Sequence, residues 1–207
     1  LIITNSNFTK ADVDYKQTNN NIQEYFKSTN QKITICPGFI SHSKTGEQTT
    51  LGRGGSDFTA AIIAAGLKVE QLEIWTDVSG MFTSNPKLVK QAYPIEKLSY
   101  QEAMELSHFG AKVLYPPTVQ PVLYLNIPIH IKNTLDPDAV GTIISNEDTK
   151  SLSPVKGISN ISNIALLTLE GTGMVGIPGF SKRLFETLSQ EKINVIMITQ
   201  ASSEHSI

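Results

Sequence analysis

Thr49-Thr50-Leu51-Gly52-Arg53-Gly54-Gly55-Ser56-Asp57 runs directly into Phe58-Thr59-Ala60-Ala61-Ile62-Ile63-Ala64-Ala65-Gly66, and the reading of this stretch decides the fold. Three glycines around one arginine, followed by residues at helical spacing, describe a loop feeding a helix N-terminus. Such a loop offers free backbone N–H groups, the helix end carries roughly half a positive charge, and glycine lets the backbone approach a bulky anion. The guest this implies is a phosphate. Phe58, Ala61, Ile62 and Ala65 fall at i, i+3, i+4 and i+7, which predicts a helix laid against a sheet, with Ser56 as its N-cap. The loop is not a dinucleotide fingerprint, because Asp57 stands where the sixth position from Gly52 needs glycine. Nor does it close with the Gly-Lys-Ser/Thr of a Walker loop. From spacing alone, a glycine-rich turn capping an ordinary helix accounts for it equally well.

Outside this stretch, composition sets limits. A chain of 207 residues, 40% hydrophobic and 17% charged, is globular and holds one large domain or two small ones. Its net charge of −2 gives no electrostatic case for nucleic acid or an anionic membrane. No apolar run approaches the roughly 20 residues that span a bilayer, and signal or transit patterns are absent. Cys36 is the only cysteine, which rules out an internal disulfide and suits a reducing cytoplasm. The histidines, His42, His108, His130 and His205, have no paired spacing for metal or triad work, and no metal ligands are assigned.

Taken from its start, Leu1-Ile2-Ile3-Thr4 reads as a short strand, Asn5–Asn20 as a polar loop, and Asn21–Thr29 as a helix with Ile22, Tyr25 and Phe26 on one face. Lys32–Pro37 alternates as a strand, with Cys36 as a buried strand residue. Ile40–Thr50 contains Ser43-Lys44-Thr45-Gly46-Glu47, the turn of a hairpin. Leu72–Val78 is an apolar strand, and the order strand, hairpin, glycine loop, helix, strand implies an α/β layer. Thr76 and Asp77 lie at the end of that strand, where open α/β sheets bind ligands, although an Asp there also serves as a plain backbone cap. Tyr100–Leu114 reads as mostly helical, with Ala103, Met104, Leu106 and Phe109 as its apolar stripe. Thr118–Leu125 is a second helix opened by Pro117, and Ile127–Lys132 and Thr142–Ile144 are strands. After the polar stretch Asn146–Pro154, the segments Val155–Ser159, Ile164–Leu169 and Ile193–Thr199 read as strands around a helix at Gly179–Glu191. Leu184, Phe185 and Leu188 form the inward stripe of that helix, while Lys182, Arg183 and Glu186 face water.

Three separated motifs occur in one order: the glycine loop, Ile74-Trp75-Thr76-Asp77-Val78, and Phe109-Gly110-Ala111-Lys112-Val113-Leu114. Together they closely resemble the aspartate kinases of the amino-acid kinase family, over most of Pro37–Ile144. Met81-Phe82-Thr83-Ser84-Asn85-Pro86-Lys87 resembles the family's Ile-Tyr-Thr-x-Asp-Pro-Arg segment. It departs from it at Phe82, which lacks the hydroxyl, at neutral Asn85, and at Lys87, which replaces a forked guanidinium with a point charge. Family members often carry His where Tyr115 stands. Met174-Val175-Gly176-Ile177-Pro178-Gly179-Phe180 before the last helix, and Val195-Ile196-Met197-Ile198-Thr199-Gln200 after it, resemble an ACT regulatory domain. That likeness is greatest to the threonine-regulated aspartate kinases fused to a homoserine dehydrogenase.

The resemblance implies an α/β fold: the C-terminal part of an amino-acid kinase sandwich, a sheet flanked by helices, over 1–145, a linker over 146–154, and a partial ACT-like α+β unit over 155–207. It implies transfer of the ATP γ-phosphoryl group to the β-carboxylate of L-aspartate with Mg2+, the first step toward threonine, lysine and methionine. Arg53, Gly54, Gly55 and Asp57 would be catalytic, and Phe39, Arg53, Ser56 and Asp57 would hold aspartate. Gly52, Thr76, Asp77, Phe82, Lys87 and Lys112 would hold ATP. An amino-acid effector, threonine by this likeness, would engage Met174, Ile177, Phe180, Asn194, Val195 and Gln200. A homodimer or higher homo-oligomer in the cytoplasm is expected, with no nucleic acid or membrane partner. Family members open with a Lys-Phe-Gly-Gly strand-loop that these 207 residues do not contain, so the chain reads as a fragment that is inactive alone. The alternative is a non-catalytic amino-acid-sensing or dimerisation fragment; a glutamate or carbamate kinase is disfavoured because those lack an ACT unit.

Overall fold

The computed structural model describes residues 1–108, 113–146, 155–171 and 177–199. These fall into two compact units, Leu1–Ile161 and Ser162–Ile207. Lys112, Met174 and Gln200 lie outside the described residues, as do most of the Phe109–Leu114 motif and residues 147–154.

The first unit opens with β1 (Ile3–Thr4) and α1 (Tyr15–Ser28). The helix starts at Tyr15 rather than at Asn21. Its first turns, Lys16-Gln17-Thr18-Asn19-Asn20, are polar, include the weak helix formers Thr18, Asn19 and Asn20, and carry no apolar stripe, so periodicity misses them. Local hydrogen bonds hold them instead. The Asp14 carboxylate accepts from Gln17 N at 3.1 Å, and the buried Thr18 hydroxyl accepts from Ile3 N at 3.0 Å.

Residues 32–37 do not form the expected strand. They join no ladder among the described residues, Ile33 and Ile35 are 82% and 92% exposed, and Cys36 is only half-buried. Alternation sets which way side chains face; it does not supply a neighbour for the backbone. The hairpin is present as β2 (Ile40–Ser43) and β3 (Gln48–Thr50), turning at Gly46 with φ 87°. The first sheet has the order β1-β2-β3, with β1 parallel and β3 antiparallel to β2. Its buried side carries hydroxyls: Thr49 Oγ1 lies 2.6 Å from Thr4 Oγ1 and 2.9 Å from Ser41 Oγ. Each polar atom buried there has a partner, which removes the cost of burying it.

Next come α2 (Gly55–Leu67), β4 (Leu72–Thr76), β5 (Lys97–Ser99), α3 (Tyr100–His108), α4 (Pro116–Leu123), β6 (Ile129–Asn133) and β7 (Thr142–Ser145). The three-residue β5 is too short to announce itself by pattern, and α4 begins at Pro116, with proline in its first turn as expected. The second sheet has the order β4-β6-β7-β5, with β4 parallel to β6, β6 antiparallel to β7, and β7 parallel to β5. Alternate residues Leu72, Ile74, Ile129, Ile131, Ile144 and Leu98 point into the main core, which α2, α3 and α4 close with Ala61, Ala64, Ala103, Val119 and Val122. A second core gathers Ile2, Ile22, Leu51 and Ile62. Helix α2 packs against both α1 and α4, so it is apolar on two sides rather than one.

Thr142 is completely buried and fastens a long excursion to this sheet. Met81 N donates to its Oγ1 at 2.8 Å, and its hydroxyl donates to Ile95 O at 2.7 Å, closing the base of residues 81–95. Gly141, at φ 75°, must be glycine: a Cβ there would lie 2.2 Å from Ile131 O.

In the second unit, α5 (Phe180–Gln190) follows Gly179, whose φ is 89°. Leu184, Phe185 and Leu188 form its half-buried side, with Lys182, Arg183 and Glu186 exposed, as the stripe predicts. The expected strands at 155–159, 164–169 and 193–199 form no ladder among the described residues. Leu166 and Met197 stand exposed, and β-propensity in these segments meets no partner among the described residues that would turn it into a ladder. The mixed α/β architecture, with sheets flanked by helices, is the one anticipated.

Candidate active site

The glycine loop lies where the chain leaving residue 37 crosses the start of α2. A Cβ on Gly38 would come within 2.9 Å of Ser56 Cα, and a Cβ on Gly55 within 2.6 Å of the Phe39 ring. Glycine at both positions is what permits this crossing. Phe39 itself adopts φ 74°, a left-handed conformation that costs a residue with a side chain about 1–2 kcal/mol. Three hydrogen bonds hold it there: Phe39 N donates to Thr59 Oγ1 at 3.0 Å, Leu51 N donates to Phe39 O at 3.0 Å, and the Thr59 hydroxyl donates to Gly55 O at 2.8 Å. Thr59, invisible as a site residue from the sequence, is thus the brace of the loop.

Helix α2 is capped by the backbone of Gly54 at φ 70°, not by Ser56, which lies one residue inside the helix and makes no cap bond. A left-handed Gly54 already turns the chain into the helix, which leaves the Ser56 hydroxyl exposed at the helix mouth. Arg53 is exposed, its Cζ 5.6 Å from the centroid of the Tyr115 ring. That contact fixes the direction of the guanidinium through cation–π attraction. Asp57 occupies the first turn of α2, half-buried. Burial pushes its carboxyl above the ordinary 3.8, with no offsetting cation or donor among the described residues. The structure therefore brings Phe39, Gly52, Arg53, Gly54, Gly55, Ser56 and Asp57 together, with an exposed guanidinium and a carboxylate that has no offsetting cation among the described residues at one helix mouth.

A second cluster forms at the carboxyl ends of β4 and β6. These strands pair in parallel through Thr76 and Asn133, the topology that favours ligand binding beyond strand ends. The Thr76 hydroxyl donates to Asp77 Oδ1 at 3.1 Å, Thr134 N donates to Thr76 O at 2.8 Å, and Asn133 Nδ2 donates to Ser79 Oγ at 2.9 Å. Asn133 and Ser79 carry no mark in the sequence, because only the pairing of β4 with β6 places them there. Phe82 begins the 81–95 excursion and bridges Pro94, whereas Lys87 stands exposed further out. Asn85 shapes the turn between them. Its Oδ1 accepts from Lys87 N at 3.0 Å, and its carbonyl accepts from Leu88 N and Val89 N, both at 2.9 Å. A neutral amide forms this turn as well as a carboxylate does.

Among the described residues no group of three or more His, Cys, Asp or Glu side chains converges on one point. The donor set fits Mg2+ carried by nucleotide phosphates and met by one carboxylate, for which Asp77 is available, rather than a metal caged by protein. No helix among the described residues is long and apolar enough to cross a membrane. Of the expected effector residues, Ile177 and Phe180 flank Gly179 at the start of α5, and Asn194 and Val195 follow its C-terminal turn.

The model of the amino acid kinase family matches residues 1–133, and that of an ACT domain matches residues 167–207. The chain is 44% identical over 212 residues to the chloroplastic bifunctional aspartokinase/homoserine dehydrogenase 2 of Arabidopsis thaliana, covering 100% of this chain and 23% of that protein. It thus spans about a quarter of the length of that relative. Among solved structures, it resembles E. coli aspartokinase III in complex with aspartate and ADP (R-state), with a TM-score of 0.75 and 32% identity, covering 99% of this chain and 46% of that one. The same enzyme in complex with lysine and aspartate (T-state) gives a TM-score of 0.77 at 33% identity, covering 99% and 45%.

Proposed function

The chain belongs to the amino acid kinase family, and from that premise we propose that it forms the aspartate- and nucleotide-binding part of an aspartate kinase with an attached ACT regulatory unit. The reaction is transfer of the ATP γ-phosphoryl group to the β-carboxylate of L-aspartate: a carboxylate oxygen attacks phosphorus, the bond to the bridging oxygen breaks, and ADP leaves. The observation that carries this reading is an exposed Arg53 and a half-buried Asp57, the latter with no offsetting cation among the described residues, at the glycine-lined start of one helix. One amino acid has the complementary groups. Arg53 grips a carboxylate through its fork, with Phe39 alongside, and Asp57 with Ser56 receives the amine.

A carboxylate with a pKa near 3.9 is ionised at neutral pH, so this nucleophile needs no general base. The barrier is the repulsion between two anions. Gly52, Gly54 and Gly55 line the transfer path, and Thr76, Asp77, Phe82, Lys87 and Lys112 hold the nucleotide; bound Mg2+ would supply further charge neutralisation. Support for the nucleotide comes from the aspartokinase III relative, crystallised with ADP.

The sign of the Asp57 shift gives a test. The substrate amine stays cationic throughout the acid range and binds only the ionised carboxylate. Aspartate affinity therefore weakens as pH falls toward a pKa that burial has raised above 3.8. Titration calorimetry across that range should show this limb, and Asp57→Asn should flatten it while weakening binding about fivefold at neutral pH. An unchanged limb in Asp57→Asn would remove Asp57 from the amine site.

Regulation is assigned to residues 174–200, with threonine as the effector bound through Met174, Ile177, Phe180, Asn194, Val195 and Gln200, in a cytoplasmic homodimer or higher homo-oligomer. The lysine complex of aspartokinase III supports an amino-acid effector as a class. Calorimetry with threonine, lysine and methionine should give heat for threonine, diminished by Gln200→Ala. Heat for lysine alone would reverse the choice of effector.

A further inference from the structure

Residues 155–158 form a strap that crosses the first unit and holds the base of the 81–95 excursion. Three contacts define it. Ile158 N donates to Thr83 O at 2.8 Å, next to Phe82. Gly157 sits so close that a Cβ there would meet Leu106 Cδ2 at 3.2 Å, Ile95 Cδ1 at 3.3 Å and Thr83 O at 3.4 Å. Lys156 Nζ lies 2.6 Å from Glu102 Oε1, and Glu102 also accepts from Ser99 N at 2.8 Å, so the strap is tied to the start of α3. Burial raises the Glu102 carboxyl, but the bonds from Lys156 and Ser99 outweigh it and leave the group below its ordinary 4.5, in keeping with a formed ion pair.

The excursion touched by the strap is the one assigned to the nucleotide. Its other edge is fastened by Thr142, through Met81 and Ile95. The two fastenings differ in kind. Thr142 is fully buried in the sheet, whereas the strap lies in half-exposed chain that leads directly into the second unit, which begins at Ser162. From this placement, and resting on the nucleotide reading above, we infer that the strap is a positioning element for the nucleotide loop, so that strap docking and nucleotide binding favour one another. Any event that pulls on the chain beyond residue 161 then reaches Thr83 and Phe82 without passing through the core.

Coupling of this kind is reciprocal, which separates it from a merely structural role. Hydrogen exchange of the 207-residue chain, with and without magnesium ADP, tests it directly. Magnesium ADP is expected to slow exchange in peptides covering 76–87 and also in the peptide covering 155–161. Gly157→Val, which crowds the strap, and Lys156→Met, which removes its ion pair, should each weaken ADP binding about fivefold or more, read by the fluorescence of Trp75, the sole tryptophan. Aspartate affinity should stay unchanged in both variants. Gly171→Val, where a Cβ meets nothing within 4 Å, is the control and should leave ADP binding as it was. Protection of 76–87 without any change at 155–161 would overturn the coupling and leave the nucleotide site standing. Absence of protection in both segments would overturn the nucleotide reading, and the coupling with it.

Discussion

Assayed alone with ATP and aspartate, the 207-residue chain is expected to make aspartyl phosphate about 100- to 1,000-fold more slowly than a polypeptide in which a Lys-Phe-Gly-Gly segment precedes Leu1. The reason is electrostatic. Two anions must meet; among the described residues the cations at the glycine loop are Arg53, assigned to the substrate, and Lys10, whose side chain lies against Gly52, while Lys87 and Lys112 are assigned to the nucleotide. None of the three assigned cations serves the phosphoryl group in flight, the role that the family's Lys-Phe-Gly-Gly lysine fills. A preorganised charge aimed at developing negative charge is typically worth about 3–4 kcal/mol, which gives the expected ratio. Trapping the product as its hydroxamate measures both chains in one assay. Turnover by the 207-residue chain equal to that of the extended polypeptide would show that the family's lysine is dispensable here and that another group does its work.

In the extended polypeptide, Arg53→Lys should lower kcat/KM for aspartate about 10- to 100-fold while leaving the ATP KM nearly unchanged. Lysine keeps the charge but loses the planar fork, and with it one of two charge-assisted hydrogen bonds worth about 1.5–3 kcal/mol. It also loses the flat face that Arg53 lays over Tyr115, so its remaining donor is no longer aimed. Lys112→Ala provides the opposite arm, since it should raise the ATP KM and spare aspartate. If the two substitutions moved both Michaelis constants equally, the division between an aspartate half at α2 and a nucleotide half at β4 and β6 would be wrong.

Where the sequence carried a local physical signal, it was readable. The glycine loop, the helix behind it, the hairpin turn at Gly46 and the strand ending at Thr76–Asp77 stand where composition and period place them. What escaped depends on contacts between distant segments. The first turns of α1 are polar and gain their stability from Asp14 and from the bond between Thr18 and Ile3. The left-handed Phe39 carries no mark in its own residue type; it is imposed by Thr59 and by two glycines seventeen positions apart in the chain, Gly38 and Gly55. Asn133 became a site residue only when β6 was found beside β4. The strand expected at 32–37 failed for the complementary reason: its pattern is strand-like, but no described neighbour accepts its backbone. Ser56 shows the same lesson on a smaller scale, since a good capping residue was displaced from the cap by a glycine two positions earlier.

Helix α2 belongs to two cores at once: Ala61 faces the main one and its immediate neighbour Ile62 faces the other. Neither sheet can lose its packing without stripping one side of the helix that the other depends on. The first unit should consequently melt as a single cooperative block, rather than as two subdomains that open in turn. The glycine loop sits at the leading end of that shared helix, so it has no independent life. A partly unfolded intermediate that still binds substrate is not available to this architecture, and loss of ligand binding on heating should track loss of the whole unit.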